Sequence, residues 1–469
     1  MFYSLGKGNY LIFLAILLSF LLQPVYALSA SSAGQDELCR LTLEQAFRTA
    51  ISQNPSMNQA AASRKKAASE VNRSIAAFLP KVNLQAGYFH SDNPVNVFGS
   101  KLNQADFTRQ DFQIDSLNYP DYRDNWQARV IMTQPLFNQG REYIGYRTSK
   151  LMSDMSELGL TSTGQSVLYM VERAYCQALL AQEKVEVLKA ALKTAVSHVK
   201  LSESRYQTGL VLKSDVLGAQ VQKISTERAL LKAENDFRIA TAALNKAMGT
   251  SQEKMWHLEQ LNNEKQDGGT LDSWLEQARK YRPEILMAKD QLKISEYGHQ
   301  QAVFRFLPSF NLHGIYQQDR QNFADFGGDS WTLMATMSIN LFNGFGDRAG
   351  ISSALAEMEK KRARLREVEN NIELQVRSAY YEFQTAQKQL KVMGKAVKQA
   401  EESQRILKKR YENGLALMVE LLSADTSVRE TKLQEARARF DARLAWSELR
   451  WKAGLLGRDL LSTSCSPSH

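Results

Sequence analysis

Proline is scarce. The 469 residues hold nine, at 24, 55, 80, 94, 120, 135, 283, 308 and 467. None falls between 135 and 283 or between 308 and 467. Proline inside a helix costs about 3 kcal/mol, so these two voids are where long helices can run. Long apolar stretches are equally scarce. One lies at the start: Lys7, an apolar core from Leu11 to Leu22, and Val25-Tyr26-Ala27 at a small-residue cleavage position. Residues 1–27 therefore read as a secretory signal, the run being short for a membrane anchor. No cysteine follows in lipobox position, which argues against a lipid anchor. Beyond it no apolar run is long enough for a spanning helix. That leaves a membrane β-barrel open, because barrel strands alternate and score weakly on hydropathy.

Cysteine is limited to Cys39, Cys176 and Cys465. Cys39 and Cys465 lie near the two ends of the mature chain, and export places them in an oxidising compartment. A Cys39–Cys465 disulfide is an expectation on that ground. Cys176 lies within a helical run and reads as a small packed side chain. Catalytic signatures are missing too. There is no Gly-rich phosphate loop, no His-Glu-x-x-His and no Cys/His cluster, and the six histidines are scattered. No catalytic residue, cofactor or metal ligand is expected. The net charge of +9 is spread along helix faces without a dense basic cluster, which reads against nucleic-acid binding.

What the chain does have is a duplication. Arg205-Tyr-Gln-Thr-Gly-Leu-Val-Leu-Lys-Ser-Asp215 returns as Arg410-Tyr-Glu-Asn-Gly-Leu-Ala-Leu-Met-Val-Glu420, 205 positions on. Glycine followed by apolar residues between helical runs reads as a helix end and a sharp reversal. Leu136-Phe-Asn138 returns as Leu341-Phe-Asn343 at the same offset, and Phe78-Leu-Pro returns as Phe306-Leu-Pro at an offset of 228. The difference of 23 is absorbed between two strands, which marks an exposed hairpin loop at about 90–125. The first repeat spans 38–252, with helices 41–53, 56–77, 145–207 and 212–248 and strands 79–89 and 126–136. The second spans 268–460, with helices 271–281, 284–305, 346–411 and 417–455 and strands 307–316 and 331–341. A three-four step of apolar residues, Ala174, Ala178, Ala181, Val185, Leu188, Leu192 and Ala195, recurs 205 later and reads as a heptad seam.

Val82, Leu84, Ala86 and Tyr88 alternate with Lys81, Asn83, Gln85 and Gly87, the period of a strand with one apolar face. Tyr88, Trp126, Tyr316 and Trp331 lie at the loop ends of the strands. Phe78, Phe137, Phe306 and Phe342 lie at the helix ends. Two aromatic girdles flanking alternating strands fit two membrane interfaces. A helical run of about 62 residues is about 93 Å long, more than a bilayer needs. Four strands cannot close a barrel in lipid, so other copies must complete it, and three are preferred to two.

On the doubled Leu-Pro-…-Asn-Leu strand entry, the Leu-Phe-Asn exit and the Arg-Tyr-x-x-Gly-Leu reversals, the chain resembles the TolC family of outer-membrane efflux proteins over about 38–460. The resemblance implies a mainly α fold with a membrane β part: a homotrimeric twelve-stranded β-barrel continued by a long periplasmic α-helical barrel. It implies a passive duct that works with a periplasmic adaptor (membrane fusion) protein and an inner-membrane pump of the RND, ABC or MFS type. Outer-membrane lipid surrounds the barrel. By position it places adaptor docking at Gly209, Leu210, Gly414 and Leu415, and a periplasmic gate at Asp215, Tyr411 and Glu420. The family prototype's basic residue two after the second reversal glycine is Ala416 here, and Ser423 replaces a second acid. Asp215 and Glu420 equally suit helix N-terminal charge placement. The cargo reading is small molecules (drugs, toxic compounds or metals), with type I protein secretion as the alternative. A periplasmic coiled-coil scaffold is the reading of a different class.

Overall fold

The computed structural model describes residues 39–261, 268–458 and 460–461. Residues 1–27 and Cys465 lie outside the described residues, and with Cys465 the Cys39–Cys465 pairing. Two helices dominate, α5 (Arg141–Gln207) and α9 (Gly346–Glu412), each of 67 residues. At 1.5 Å per residue each runs about 100 Å. They fill the two proline voids. Each turns back into a shorter partner, α6 (Lys213–Met248) and α10 (Met418–Lys452).

Shorter helices continue the partners end to end along the long ones. α1 (Leu43–Gln53) and α2 (Pro55–Ile75) meet at Asn54, and α7 (Leu271–Tyr281) and α8 (Pro283–Phe304) meet at Arg282. Each proline sits at the first position of its helix, where the missing N–H leaves no bond unmade. That is why α2 starts at Pro55 rather than after it. The Asn54 side chain caps α2 at Ser56 N (2.8 Å) and also donates to the Ala247 carbonyl at the end of α6 (2.8 Å). Arg282 donates to the Trp451 carbonyl at the end of α10 (2.6 Å). Each elbow thus seats the end of a hairpin helix.

The core is twofold as well. Val167, Val171, Ala174, Ala178, Leu244 and Met248 pack with Ala46, Ala50 and Met57. Their repeat counterparts Ile372, Val376, Ala379, Phe383, Leu449 and Ala453 pack with Trp274, Ala278 and Ile285. The first cluster also carries a two-stranded sheet of β1 (Cys39–Leu41) and β4 (Trp256–Leu258). Leu41 is therefore strand, not the start of α1. Buried Tyr175 donates its hydroxyl toward the Leu41 and Glu259 carbonyls, each at 2.8 Å, and burial pushes its phenol up to about 12. Cys176 is buried beside it, and that burial pushes its thiol up.

Between the helices stands a four-stranded antiparallel meander: β2 (Lys81–Ser91), β3 (Arg123–Asn138), β5 (Ser309–Arg320) and β6 (Gly328–Ser338), in that order. β3 starts three residues before the expected Trp126 and runs to Asn138 across a bulge at Pro135/Phe137. The loop between β2 and β3 is not plain coil. It folds into α3 (Pro94–Asn103) and α4 (Ile114–Asn118). Asn93 caps α3, Lys101 pairs with Asp111, and Phe107 packs edge-on against Phe98 and Phe112. Among the described residues no helix is long and apolar enough to cross a membrane.

Candidate functional site: a two-faced sheet and two paired reversals

Registry puts the apolar strand positions on one face. Val82, Leu84 and Tyr88 stand opposite Met132, Val130 and Trp126. Val130 stands opposite Tyr316, and Tyr316 opposite Trp331. The face is open: Leu84 is 74% exposed and Trp331 76%. The other face is polar. Arg129 donates to Gln317 (2.8 Å), and buried Asp319 accepts from Asn125 (2.6 Å) and Gln127 (3.0 Å). In a barrel wall this is an apolar outside and a hydrogen-bonded inside.

Tyr88 and Trp126 pack in a tilted pair with centroids 4.8 Å apart, but Trp126 lies opposite Arg320 rather than Tyr316. The loop-side aromatics therefore form two pairs stepped by four residues, as tilted strands require. At the helix side only Phe137 lies in a strand. Phe78 is in a 3-10 turn (Ala76–Phe78), Phe306 precedes β5 and Phe342 follows β6, all exposed.

The two reversals share one geometry. Gly209 has φ +72° and Gly414 +76°. Leu210 N–H donates to the Arg205 carbonyl (2.9 Å) and Gly209 N–H to Tyr206 (3.0 Å). Leu415 N–H donates to Arg410 (2.8 Å) and Gly414 N–H to Tyr411 (3.0 Å). This is the Schellman ending, which needs a left-handed residue at the glycine. Leu210, Leu212, Leu415 and Leu417 are all exposed. A cleft of about 620 Å³ lies between the first turns of α6 and α10, lined by Asp215, Val221, Met418 and Ser423 among others.

Asp215 and Glu420 are the third residues of their helices. Asp215 accepts from Leu212 N–H (3.3 Å) and Glu420 from Leu417 N–H (2.8 Å). Within one chain both act as helix caps. Tyr411 is buried, and among the described residues its hydroxyl has no well-aligned partner, Asp215 included. Burial raises its phenol, Arg205 pulls it back and the Asp215 charge adds to the rise.

Sequence reasoning missed the contact between the two reversals. The Arg205 guanidinium donates to the Tyr411 (3.0 Å) and Glu412 (3.1 Å) carbonyls and lies 4.7 Å from the Tyr411 ring centroid. It caps the end of α9 from the end of α5. The doubled Arg-Tyr motif carried the signal. Higher on the shafts, buried His198 on α5 meets Asp425 on α10 (2.7 Å), which also accepts from Gln404 (2.7 Å). Nothing in the sequence pairs those positions.

The chain is 25% identical to Protein CyaE of Bordetella pertussis over 91% of its length and 86% of that protein. It is 23% identical to the Alkaline protease secretion protein AprF of Pseudomonas aeruginosa, over 74% and 73%. It is 20% identical to the Outer membrane protein TolC of Vibrio cholerae, over 93% and 95%. The fold superposes on the CmeC outer membrane channel of Campylobacter jejuni (TM-score 0.73, 16% identity, 88% of this chain and 85% of that one). It likewise superposes on the outer membrane protein VceC of Vibrio cholerae (TM-score 0.72, 19% identity, 88% and 96%). The family profile described as "Outer membrane efflux protein" matches residues 46–250 and 274–455. The chain thus belongs to the outer membrane efflux protein family, seated in the outer membrane with its long helices extending into the periplasm.

Proposed function

We propose that three copies of the chain close into one duct, a twelve-stranded barrel in the outer membrane continued by a helical tube. The observation that supports this is the open four-stranded meander, apolar on one face and hydrogen-bonded on the other, with both edges unpaired among the described residues. Open edges are not tolerated in lipid, so copies must supply each other's partners. The duct is passive. A periplasmic adaptor docks on the exposed leucines beside Gly209 and Gly414, and an inner-membrane pump supplies drive. Asp215, Tyr411 and Glu420 surround the entrance.

For the cargo, the relatives favour polypeptides over small molecules. AprF is named for alkaline protease secretion and a relative from Dickeya chrysanthemi for proteases secretion. Small-molecule efflux is the second reading, supported by the family's own description. Deleting the gene and comparing culture medium with toxic-compound susceptibility separates them. Loss of one or a few secreted polypeptides with unchanged susceptibility is expected. The reverse pattern makes small-molecule efflux the function.

A further inference from the structure

The two hairpin loops at the end of the sheet away from the long helices differ in kind. Residues 321–327 turn from β5 into β6 with no helix or strand of their own. Residues 92–122 carry α3 and α4 and fold back onto the sheet. The registry says which face they cover. Asp319 stands opposite Gln127 on one side and Gly328 on the other, so Gly328 belongs to the polar face. A Cβ on Gly328 would run into the Asn103 carbonyl at the end of α3. Gln104 follows. Its amide donates to the Asn125 side-chain oxygen (2.9 Å) and the Asp124 carbonyl (2.8 Å), and it accepts from Arg123 (2.8 Å). Asn125 in turn donates to Asp319 (2.6 Å). Gln104 and Asn125 are each 5% exposed and Asp319 1%. Farther along the same face Gln85 and Thr332 are exposed. The loop therefore covers the loop end of the polar face and leaves the rest bare. It is also tied to itself and to β3: Lys101 pairs with Asp111, Arg123 pairs with Asp106, and Val97 of α3 is buried.

We propose that α3 and the residues around it lie inside the bore of the duct at its exit and set the size of solute that can pass there, with Gln104 as the positioning residue that fastens them to the wall. The proposal rests on the closed ring of copies proposed above, whose inside is the polar face. A helix with its side chains is about 10 Å across, so three such loops narrow the exit by about that much from three sides. Gln104 suits the fastening because its amide both donates and accepts. It joins Arg123 and the buried Asn125 in one chain of bonds that ends on the Asp319 carboxylate, so each polar group that the loop covers has a partner. The shorter hairpin at 321–327 has no counterpart of Gln104, and the exit filter is the work of the longer loop alone.

The test uses the full-length chain with Cys39→Ser and Cys465→Ser, carrying Gln104→Cys and Asn125→Cys. Its native size is measured first, and a native monomer overturns the ring and the filter with it. In trimers, mild oxidation is expected to join the two new cysteines within one chain, so that after denaturation a maleimide finds Cys176 alone. Three labels per chain would show the loop standing away from the wall, which overturns the filter and leaves the ring intact. The bore is then measured in planar bilayers with polyethylene glycols of graded size. Replacing residues 92–122 by a second copy of 321–327 is expected to raise single-channel conductance about twofold or more. It should admit larger polymers from the extracellular side while the cut-off from the periplasmic side stays the same. Unchanged conductance and cut-off in those trimers overturn the filter. Gln104→Ala should move both readouts in the same direction by less, and no movement in that variant alone removes Gln104 as the fastener.

Discussion

Gly249 and Gly454 are repeat twins with left-handed backbones, φ +82° and +76°. A Cβ on Gly249 would lie 2.6 Å from the Gln53 carbonyl oxygen, and one on Gly454 2.8 Å from that of Tyr281. Gly209 has the same backbone with nothing within 4 Å. The contrast gives a prediction. Gly209→Ala should lower stability by about 1–2 kcal/mol, the strain of the left-handed backbone alone. Gly249→Ala should lose about 3 kcal/mol or more, because the elbow must also give way. Urea unfolding of the purified variants compares them, and equal losses would mean that the elbows are not rigid seats. A second residue responds to pH. Partial burial, with the Asp154 charge adding, raises the carboxyl of Asp290 on α8. The folded state therefore favours its protonated form. That stabilisation is present below the ordinary value of about 3.9 and is lost as pH rises through the raised one. Asp290→Asn should raise the unfolding temperature at pH 7 and leave it unchanged near pH 3. A gain of equal size at both would show that charge is not the cause.

At the scale of elements, the reversals join the long helices to their partners, and a Cβ at Gly209 or Gly414 would meet nothing within 4 Å. A bulky residue at Gly209 or Gly414 should therefore leave trimers heat-modifiable while export falls. Normal export in such a variant would take the reversal out of the mechanism. How much of this could be read in advance depended on distance along the chain. The strands announced themselves through alternation at Val82–Tyr88, and the helix ends through local Schellman glycines. The doubled cores followed from the 205 and 228 offsets. The remainder depended on pairs far apart in sequence. No local pattern says that Asn54 seats the end of α6, that Arg205 caps α9, or that Gly249 must lack a side chain to clear Gln53. The short helices within the loop after β2 went unread for a different reason. Asn93-Pro94 looks like a turn, yet Asn then Pro is also a helix start, and Val97 and the Phe98–Phe107 contact tip the balance toward α3. Asp215 and Glu420 show the reverse case. Their sequence supported both capping and gating, and within one chain they cap.

For the whole molecule, the two faces of the sheet should respond oppositely to charge. Leu84→Arg puts a guanidinium on the apolar outside, at a penalty of about 2–4 kcal/mol near the bilayer centre. Gln85→Arg, one residue on, points to the polar inside. The first should abolish heat-modifiable trimers in outer-membrane fractions and the second should retain them. Retention in both would mean that the open apolar face does not meet lipid.

The unpaired edges of β2 and β6 also set the timetable of biogenesis. A lone chain would carry two rows of bare amide groups into hydrocarbon, so it has no stable way to insert by itself. If copies complete one another's edges as proposed, insertion waits for association, and until then the bare edges are open to pairing with other chains. The rate at which copies meet then sets how much of the chain reaches the membrane.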